Sequence, residues 1–345
     1  MSAATSAPPA APPAAPPASA RPLGVARKFR PAPTIRSLLS EGLRVVATGS
    51  FLPRGGRYDV RPLRMRPARA LRGGPDGLVA AFAMRDGNVE ISILARSAEP
   101  AADDVAWAMD RARGMAAVDD DPSEFLAMAH LHPLVLKLSA QFDCRIDRTP
   151  TVFEAFARAV IEQLVTTFEA RASIRRLFGG AGELVDGTTI RAAPSARAVL
   201  EVPPWRLHAM GIGSRRSRTL REGARRASAL ERLRAIDPEL AAQKLESLPG
   251  VGPWTANLVA RTALGWSDAV PVRDCHAHYV ISEALTGEQG DDDAMLEALA
   301  PFRPHRARVV RLITQAQIAG GLNGEERGRY RLPRIDPHRR EPWKY

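Results

Sequence analysis

Along the 345-residue chain the spacing of apolar side chains changes character near residue 121. Between residues 36 and 120, "LVAAFAM" and "VEISILA" are β-prone runs on either side of "RDGN", a turn-rich connector, and the pattern predicts a hairpin. "AADDVAWAMDRARGMA" follows with its acidic residues early and its arginines late, the charge order that suits a helix dipole. Beyond residue 121 the pattern is helical throughout. "TVFEAFARAVIEQLVTTFEARASIRRLF" places Phe153, Phe156, Val160, Ile161 and Leu164 close to the 3.6-residue period of an amphipathic helix. Shorter helices are expected over "SARAVLEV", "SRRSRTLREGARRASALERL" and "PELAAQKLESL", divided by Gly and Pro. No fixed-period repeat is present.

This predicts an α+β fold class, a small N-terminal antiparallel α/β domain followed by an all-α core. The expected divisions are a Pro/Ala-rich disordered tail over residues 1–33, the α/β domain over 34–120, the helical domain over 121–322 and a basic tail over 323–345. The opening "MSAATSAPPAAPPAAPPASARP" lacks the apolar core of a secretory signal, and no apolar run reaches bilayer length. The expected location is the cytoplasm, in association with the nucleoid, with no membrane partner.

The net charge of +11 is carried almost wholly by arginine and favours a polyanionic partner, because the planar guanidinium fork suits phosphate. A GC-rich genome would also favour arginine over lysine, but it leaves the excess positive charge unexplained. Two cysteines, Cys144 and Cys275, are too few for a disulfide framework, a four-thiolate zinc site or an iron–sulfur cluster. The paired histidines His130/His132 and His276/His278 are two apart, which on a helix points them to different faces, so no metal site is expected.

Two short stretches carry chemistry. "KLESLPGVGPWTANLVARTAL" reads as helix, hairpin, helix, with Pro253 where a helix start accepts proline and Ala256, Val259, Ala260 and Ala263 on one apolar face. Free amides at Gly250 and Gly252 would bind an anion such as a DNA phosphate; an ordinary turn between packed helices is the alternative. Downstream, Asp274 follows Pro271 and precedes an amphipathic run, where it can serve as a helix cap, as a catalytic carboxylate, or as both. "GIGSRRSRTLREGARRA" and "RPHRARVVRL" offer two basic segments that either grip phosphate or form solvated faces; Gly213 and Arg215 open the first.

"LPGVGPWTANLVA" with the later "AVPVRDCH" resembles the helix-hairpin-helix DNA glycosylase superfamily and is most similar to its 3-methyladenine DNA glycosylase II branch, over residues 121 to 320. The resemblance implies a repair enzyme that flips a damaged base from double-stranded DNA and hydrolyses its N-glycosidic bond, acting as a monomer. Asp274 would be the catalytic carboxylate, and Gly250, Val251, Gly252 and Thr255 of the hairpin would contact DNA. "EQLV" matches a family helix end "GQLV", which makes Leu164 the residue that enters the duplex and Gln163 its neighbour at the DNA; Glu162 replaces the family's glycine, and a core position is the alternative for Leu164. Strand-nicking members carry a lysine where this chain has Trp254, so the resemblance implies a monofunctional enzyme with Trp254 lining the base pocket, a buried core tryptophan being the alternative. It further implies that the main-chain carbonyls of Glu246, Leu248 and Val251 hold a structural Na+ or K+, with no catalytic cofactor. Leu258, Cys275 and Thr314 stand where the branch has aromatics, so substrate choice stays open between alkylated purines and deaminated or oxidised bases. A hairpin protein that binds DNA without chemistry is the remaining alternative.

Overall fold

A computed structural model describes residues 33–54, 68–97 and 99–319. The expected N-terminal tail, apart from residue 33, and the expected C-terminal tail lie outside the described residues. After a short helix α1 (Ile35–Ser40), four strands form one antiparallel sheet in the order β1-β4-β3-β2: β1 (Arg44–Phe51), β2 (Ala68–Arg72), β3 (Leu78–Arg85) and β4 (Asn88–Ala95). The expected hairpin is β3–β4, with Leu78 opposite Ala95 and Phe82 opposite Ile91. Its tight turn is made by Asp86 and Gly87, both at positive φ, the conformation that matches strand twist in a two-residue hairpin.

Alternation along β3 sends successive residues to opposite faces. Leu78 and Ala80 join Ile91 and Ile93 beneath helix α2 (Ala102–Met115), which contributes Ala108 and Ala112. Asp103 and Asp104 occupy the first turn of α2 and Arg113 its last, in the predicted order. Val79 and Ala81 face the other way and pack with Leu38, Leu43 and Leu94, and with Val185, Ile190 and Ala192 from far along the chain.

The remaining helices are α3 (Ser123–Met128), α4 (Pro133–Ser139), α5 (Val152–Glu162), α6 (Thr167–Ala181), α7 (Ala196–Glu201), α8 (Pro204–Ala209), α9 (Ser214–Arg225), α10 (Ala227–Arg232), α11 (Pro238–Glu246), α12 (Pro253–Val259), α13 (Ala277–Thr286), α14 (Asp292–Leu299) and α15 (Arg306–Ala319). A π-helical turn, Ala260–Leu264, continues α12. These helices enclose two apolar cores. One gathers around α5, nearly all of whose side chains are buried, with α6 to α12. The other joins α3 and α4 to α13, α14 and α15. No helix among the described residues is long and apolar enough to cross a membrane.

The helical stretch across residues 152 to 178 forms two helices, parted where "EQLV" resembles a family helix end. α5 stops at Glu162, and Thr166 starts α6 with a capping box in which Thr166 and Glu169 satisfy each other's backbone amides. The chain between them leaves the apolar stripe, which takes Leu164 out of the core.

Candidate nucleic-acid interface and active site

The hairpin joins α11 to α12. Gly250 has φ +83°, and a Cβ there would collide with the Thr219 hydroxyl of α9, so both backbone and packing demand glycine. The Val251 amide closes the turn on the Leu248 carbonyl at 3.0 Å. Gly252 is the extended N-cap of α12, with open space on its Cβ side. The amides of Gly250 and Gly252 have no partner among the described residues. Free amides at a helix start suit an anion.

Gln163 ties the end of α5 to this hairpin: its Nε2 donates to the Gly250 carbonyl at 3.0 Å and to the Thr255 hydroxyl at 2.9 Å. On the opposite side Arg216 of α9 donates to the Ile161 carbonyl at 2.7 Å and to the Gly211 carbonyl at 2.9 Å. Between these braces sits Leu164, at φ +52° and 89% exposed. The left-handed conformation costs a non-glycine residue about 1–2 kcal/mol, so an exposed leucine held there is a feature the loop enforces. A core role for Leu164 is excluded. Phe168, four residues on, is also exposed.

The two basic segments resolve differently from their sequence. Arg221 donates to the Leu200 and Val202 carbonyls, and Arg225 and Arg226 pair with Glu222. Arg215 and Arg218 are left exposed and unpartnered among the described residues, beside Gly213, the N-cap of α9. In the second segment Arg306 pairs with Asp268, Arg308 with Asp120 and Arg311 with Asp147. Those three arginines brace the fold and form no outward basic face, because each reaches a carboxylate that the sequence places 38 or more residues away.

Asp274 lies just ahead of α13 and is half-buried. Its Oδ1 accepts the amides of His276 at 2.8 Å and Ala277 at 3.0 Å, so the expected capping role is present. Its Oδ2 accepts the Trp254 indole N–H at 2.6 Å. Three donors from two elements thus fix the carboxylate in one orientation. Trp254 is half-buried, and its N–H is spent on Asp274 rather than on a ligand.

Sequence reasoning passed over Tyr279, whose hydroxyl meets His276 Nδ1 at 2.8 Å; it stands one turn into the helix that follows Asp274, and that position was its only signal. Burial, then the neighbouring Cys275 and Asp274, push the Tyr279 phenol up. Burial followed by the Asp274 charge raises the exposed Cys275 thiol as well. Asp274 also borders an open depression of about 320 Å³ walled by Arg273, His278, Asp291, Asp292 and Asp293. The aspartates on that side and the free arginines of α9 give a polyanion a preferred approach. Among the described residues no cluster of His, Cys, Asp and Glu is suited to a metal ion.

The chain is 32% identical over 182 residues to the "Probable bifunctional transcriptional activator/DNA repair enzyme AlkA" of two Mycobacterium tuberculosis strains, CDC 1551 / Oshkosh and H37Rv, a match over 50% of this chain and 35% of the relative. It therefore spans about a third of the length of the curated relatives it matches. No protein-family model matches it. The structure resembles a 3-methyladenine DNA glycosylase from Archaeoglobus fulgidus with a TM-score of 0.62 and 19% identity, covering 74% of this chain and 88% of that one. It also resembles a Clostridium acetobutylicum 8-oxoguanine glycosylase/lyase solved with double-stranded DNA containing cytosine opposite 8-oxoguanine, with a TM-score of 0.52 and 16% identity over 73% of this chain and 88% of that one. The fold is that of the helix-hairpin-helix DNA glycosylases. Within this fold the α5–α6 turn, the hairpin and the start of α13 are the elements that carry Leu164, the free glycine amides and Asp274.

Proposed function

We propose that the protein is a monofunctional DNA repair glycosylase that hydrolyses the N-glycosidic bond of damaged purines, alkylated purines foremost, in double-stranded DNA. The observation that carries this reading is the Asp274 carboxylate, immobilised by Trp254 and by two backbone amides. A helix cap needs only the two amides, so the further indole donor that fixes Oδ2 is what favours chemistry over DNA binding alone.

A base in a duplex is out of reach of any carboxylate, so it must first be extruded. Leu164, exposed and braced on both sides, enters the stack and occupies the gap. The amides of Gly250 and Gly252, and Gly213 with Arg215 at the start of α9, hold the phosphates on either side. Val251 and Thr255 shape the hairpin that presents those amides. With the sugar drawn toward Asp274, the fixed negative charge stabilises the oxocarbenium-like state that forms as the C1'–N bond breaks. The bond's electron pair leaves with the base. Water adds to C1' and gives up a proton, to solvent when the departing base was already cationic and to the base when it was neutral, leaving an abasic sugar.

Trp254 in place of the nicking lysine leaves no amine to form an imine with that sugar, so the strand stays intact. Its ring flanks the pocket while its N–H steadies the carboxylate. The carbonyls of Glu246, Leu248 and Val251 would hold a monovalent cation, which would supply positive charge for a DNA phosphate; Leu248 already accepts the Val251 amide and keeps one lone pair for it. The M. tuberculosis relative is named as a DNA repair enzyme and the Archaeoglobus structure as a 3-methyladenine DNA glycosylase, which supports the reaction class.

The test is incubation of the full chain with duplexes carrying 3-methyladenine, 7-methylguanine, hypoxanthine or uracil, with free base and strand breaks measured separately. Release of a methylated purine, with breaks only after alkali, is expected. Breaks without alkali would contradict the monofunctional reading, and no release from any duplex would contradict the enzymatic one.

A further inference from the structure

The depression that Asp274 borders has a second chemically active wall. His278, the second residue of α13, is half-buried and lines that depression with Arg273, Asp291, Asp292 and Asp293. Its ring is held from two sides. Nδ1 lies 2.8 Å from the Asp274 main-chain carbonyl, and the Tyr279 ring meets the imidazole edge-on with centroids 5.1 Å apart. A carbonyl can only accept, so Nδ1 carries the proton in this contact, and in the neutral ring the lone pair is on Nε2. Nε2 has no partner among the described residues. His276 is engaged elsewhere: its Nδ1 meets the Cys275 carbonyl and the Tyr279 hydroxyl. The two histidines diverge as their spacing predicts, and only His278 shares the depression with Asp274.

The carboxylate has little acceptor capacity left. Of the roughly four acceptor sites of a carboxylate, those on Asp274 already take the His276 and Ala277 amides and the Trp254 indole N–H. What remains can orient a water molecule. Were Asp274 also to take the water's proton, it would lose its charge while the sugar is still cationic, so a separate base serves the reaction better. The surroundings of His278 admit water. Asp291 caps α14 through the Ala294 amide, Asp292 Oδ2 accepts the Arg273 amide at 2.8 Å, Asp292 Oδ1 is buried without a partner among the described residues, and Asp293 is exposed. These carboxylates outnumber Arg273 in the wall, so the depression repels the DNA backbone and stays open to solvent. The charged and titratable groups that face His278 are thus Arg273, Asp274 and Tyr279 from its own end of α13 and the three aspartates at the start of α14. α15, which also packs on α13, meets it through the apolar core.

We propose that His278 is the general base of the hydrolysis. The proposal rests on the glycosylase reading above. With an alkylated, cationic purine the C1'–N bond breaks and its electron pair leaves with the base. A water in the depression, oriented by Asp274, gives an oxygen lone pair to C1' while one of its protons passes to Nε2 of His278. The imidazolium returns that proton to solvent through the open mouth of the depression. Asp274 stays negative throughout, opposite the cationic sugar.

Single-turnover release of 7-methylguanine from duplex DNA by the full chain, at enzyme concentrations that saturate binding, tests this between about pH 5 and 8, the interval in which histidines commonly change charge. His278→Asn places its amide nitrogen where Nδ1 donates and removes Nε2, so the tie to the Asp274 carbonyl is kept. Melting temperatures check that each variant folds. Wild type is expected to slow as pH falls, because a protonated Nε2 has no lone pair to offer, and His276→Gln to show the same decline. His278→Asn is expected to be slower by about a hundredfold at the upper end of the interval, the low end of what a positioned acid or base contributes, with abasic-site affinity within about twofold of wild type. Its rate should no longer decline with falling pH. In His278→Ala, added imidazole is expected to restore part of the rate in proportion to its unprotonated fraction. A wild-type rate in His278→Asn, or a pH decline that persists in it, would overturn the proposal. If Asp274→Asn abolished release while His278→Asn behaved as wild type, the glycosylase reading would stand without it. No release by wild type from any duplex would remove that reading and the proposal together.

Discussion

The Trp254 indole N–H donates to Oδ2 of Asp274 at 2.6 Å, linking the first turn of α12 to the start of α13. The hairpin proposed to grip phosphate and the carboxylate proposed to face the sugar are thereby tied together, since Trp254 follows Gly252 by two residues. Trp254→Phe keeps the ring and removes the donor. Hydrogen bonds to charged groups contribute about 1.5–3 kcal/mol, so single-turnover base release should fall roughly ten- to hundredfold while affinity for abasic-site DNA stays within about twofold. A fall in affinity matching the fall in rate would show that the indole acts on binding alone.

Leu164 is exposed and held at positive φ, so its side chain contributes little to the fold. Leu164→Ala should leave the melting temperature unchanged and slow release from duplex DNA at least tenfold. Release from a single strand, whose bases need no extrusion, should change little. Leu164→Gly should in addition raise stability by about 1 kcal/mol as the left-handed strain is relieved, read by denaturant titration.

Arg216 supports the same turn from α9 through the Ile161 carbonyl. If its effect on activity passes through the position of Leu164, Arg216→Met should slow duplex release in the wild-type background and add nothing to Leu164→Ala. Such non-additivity in a double-mutant cycle is the signature of two residues acting as a unit. Additive losses would separate them.

The two cysteines provide a check on the burial of the site. Cys144 is buried, and burial pushes its thiol up to about 11, so it should resist alkylation in the native protein at any pH the fold withstands. Cys275 is exposed, with its thiol raised by partial burial and then by Asp274. Its thiolate therefore forms only above the ordinary thiol range, and its rate of reaction with iodoacetamide should climb through alkaline pH. Mass spectrometry after brief labelling should find one modified site per chain, and bound abasic DNA should protect it.

What the sequence made legible follows the range of the interactions involved. The β3–β4 hairpin, the charge order of α2 and the apolar face Ala256–Val259–Ala260–Ala263 are set by residues close together in the chain, and each was readable from pattern alone. The break at Leu164 was signalled only by the resemblance of "EQLV" to a helix end, because the 3.6-residue period runs through it; the brace from Gln163 to the hairpin crosses 87 residues. The arginines of α15 read as a basic surface for the same reason, since their carboxylates arrive from distant segments. The capping role of Asp274 was legible because its amide donors lie two and three residues away. Its indole donor was visible only as a neighbouring tryptophan, and the packing of Val185, Ile190 and Ala192 beneath the sheet left no trace in their own pattern.

Single-turnover release of 7-methylguanine from duplex DNA by wild type and by Asp274→Asn, at enzyme concentrations that saturate binding, measures the central claim most directly. Asparagine keeps the shape and one accepting oxygen for the backbone amides, while its amide nitrogen cannot accept the Trp254 N–H and the negative charge proposed to face the sugar is gone. The expected outcome is a rate lower by at least a hundredfold with unchanged affinity for the duplex, in the range lost when a preorganised electrostatic group is removed from an active site. Release by Asp274→Asn at the wild-type rate would contradict the assignment of this carboxylate to catalysis.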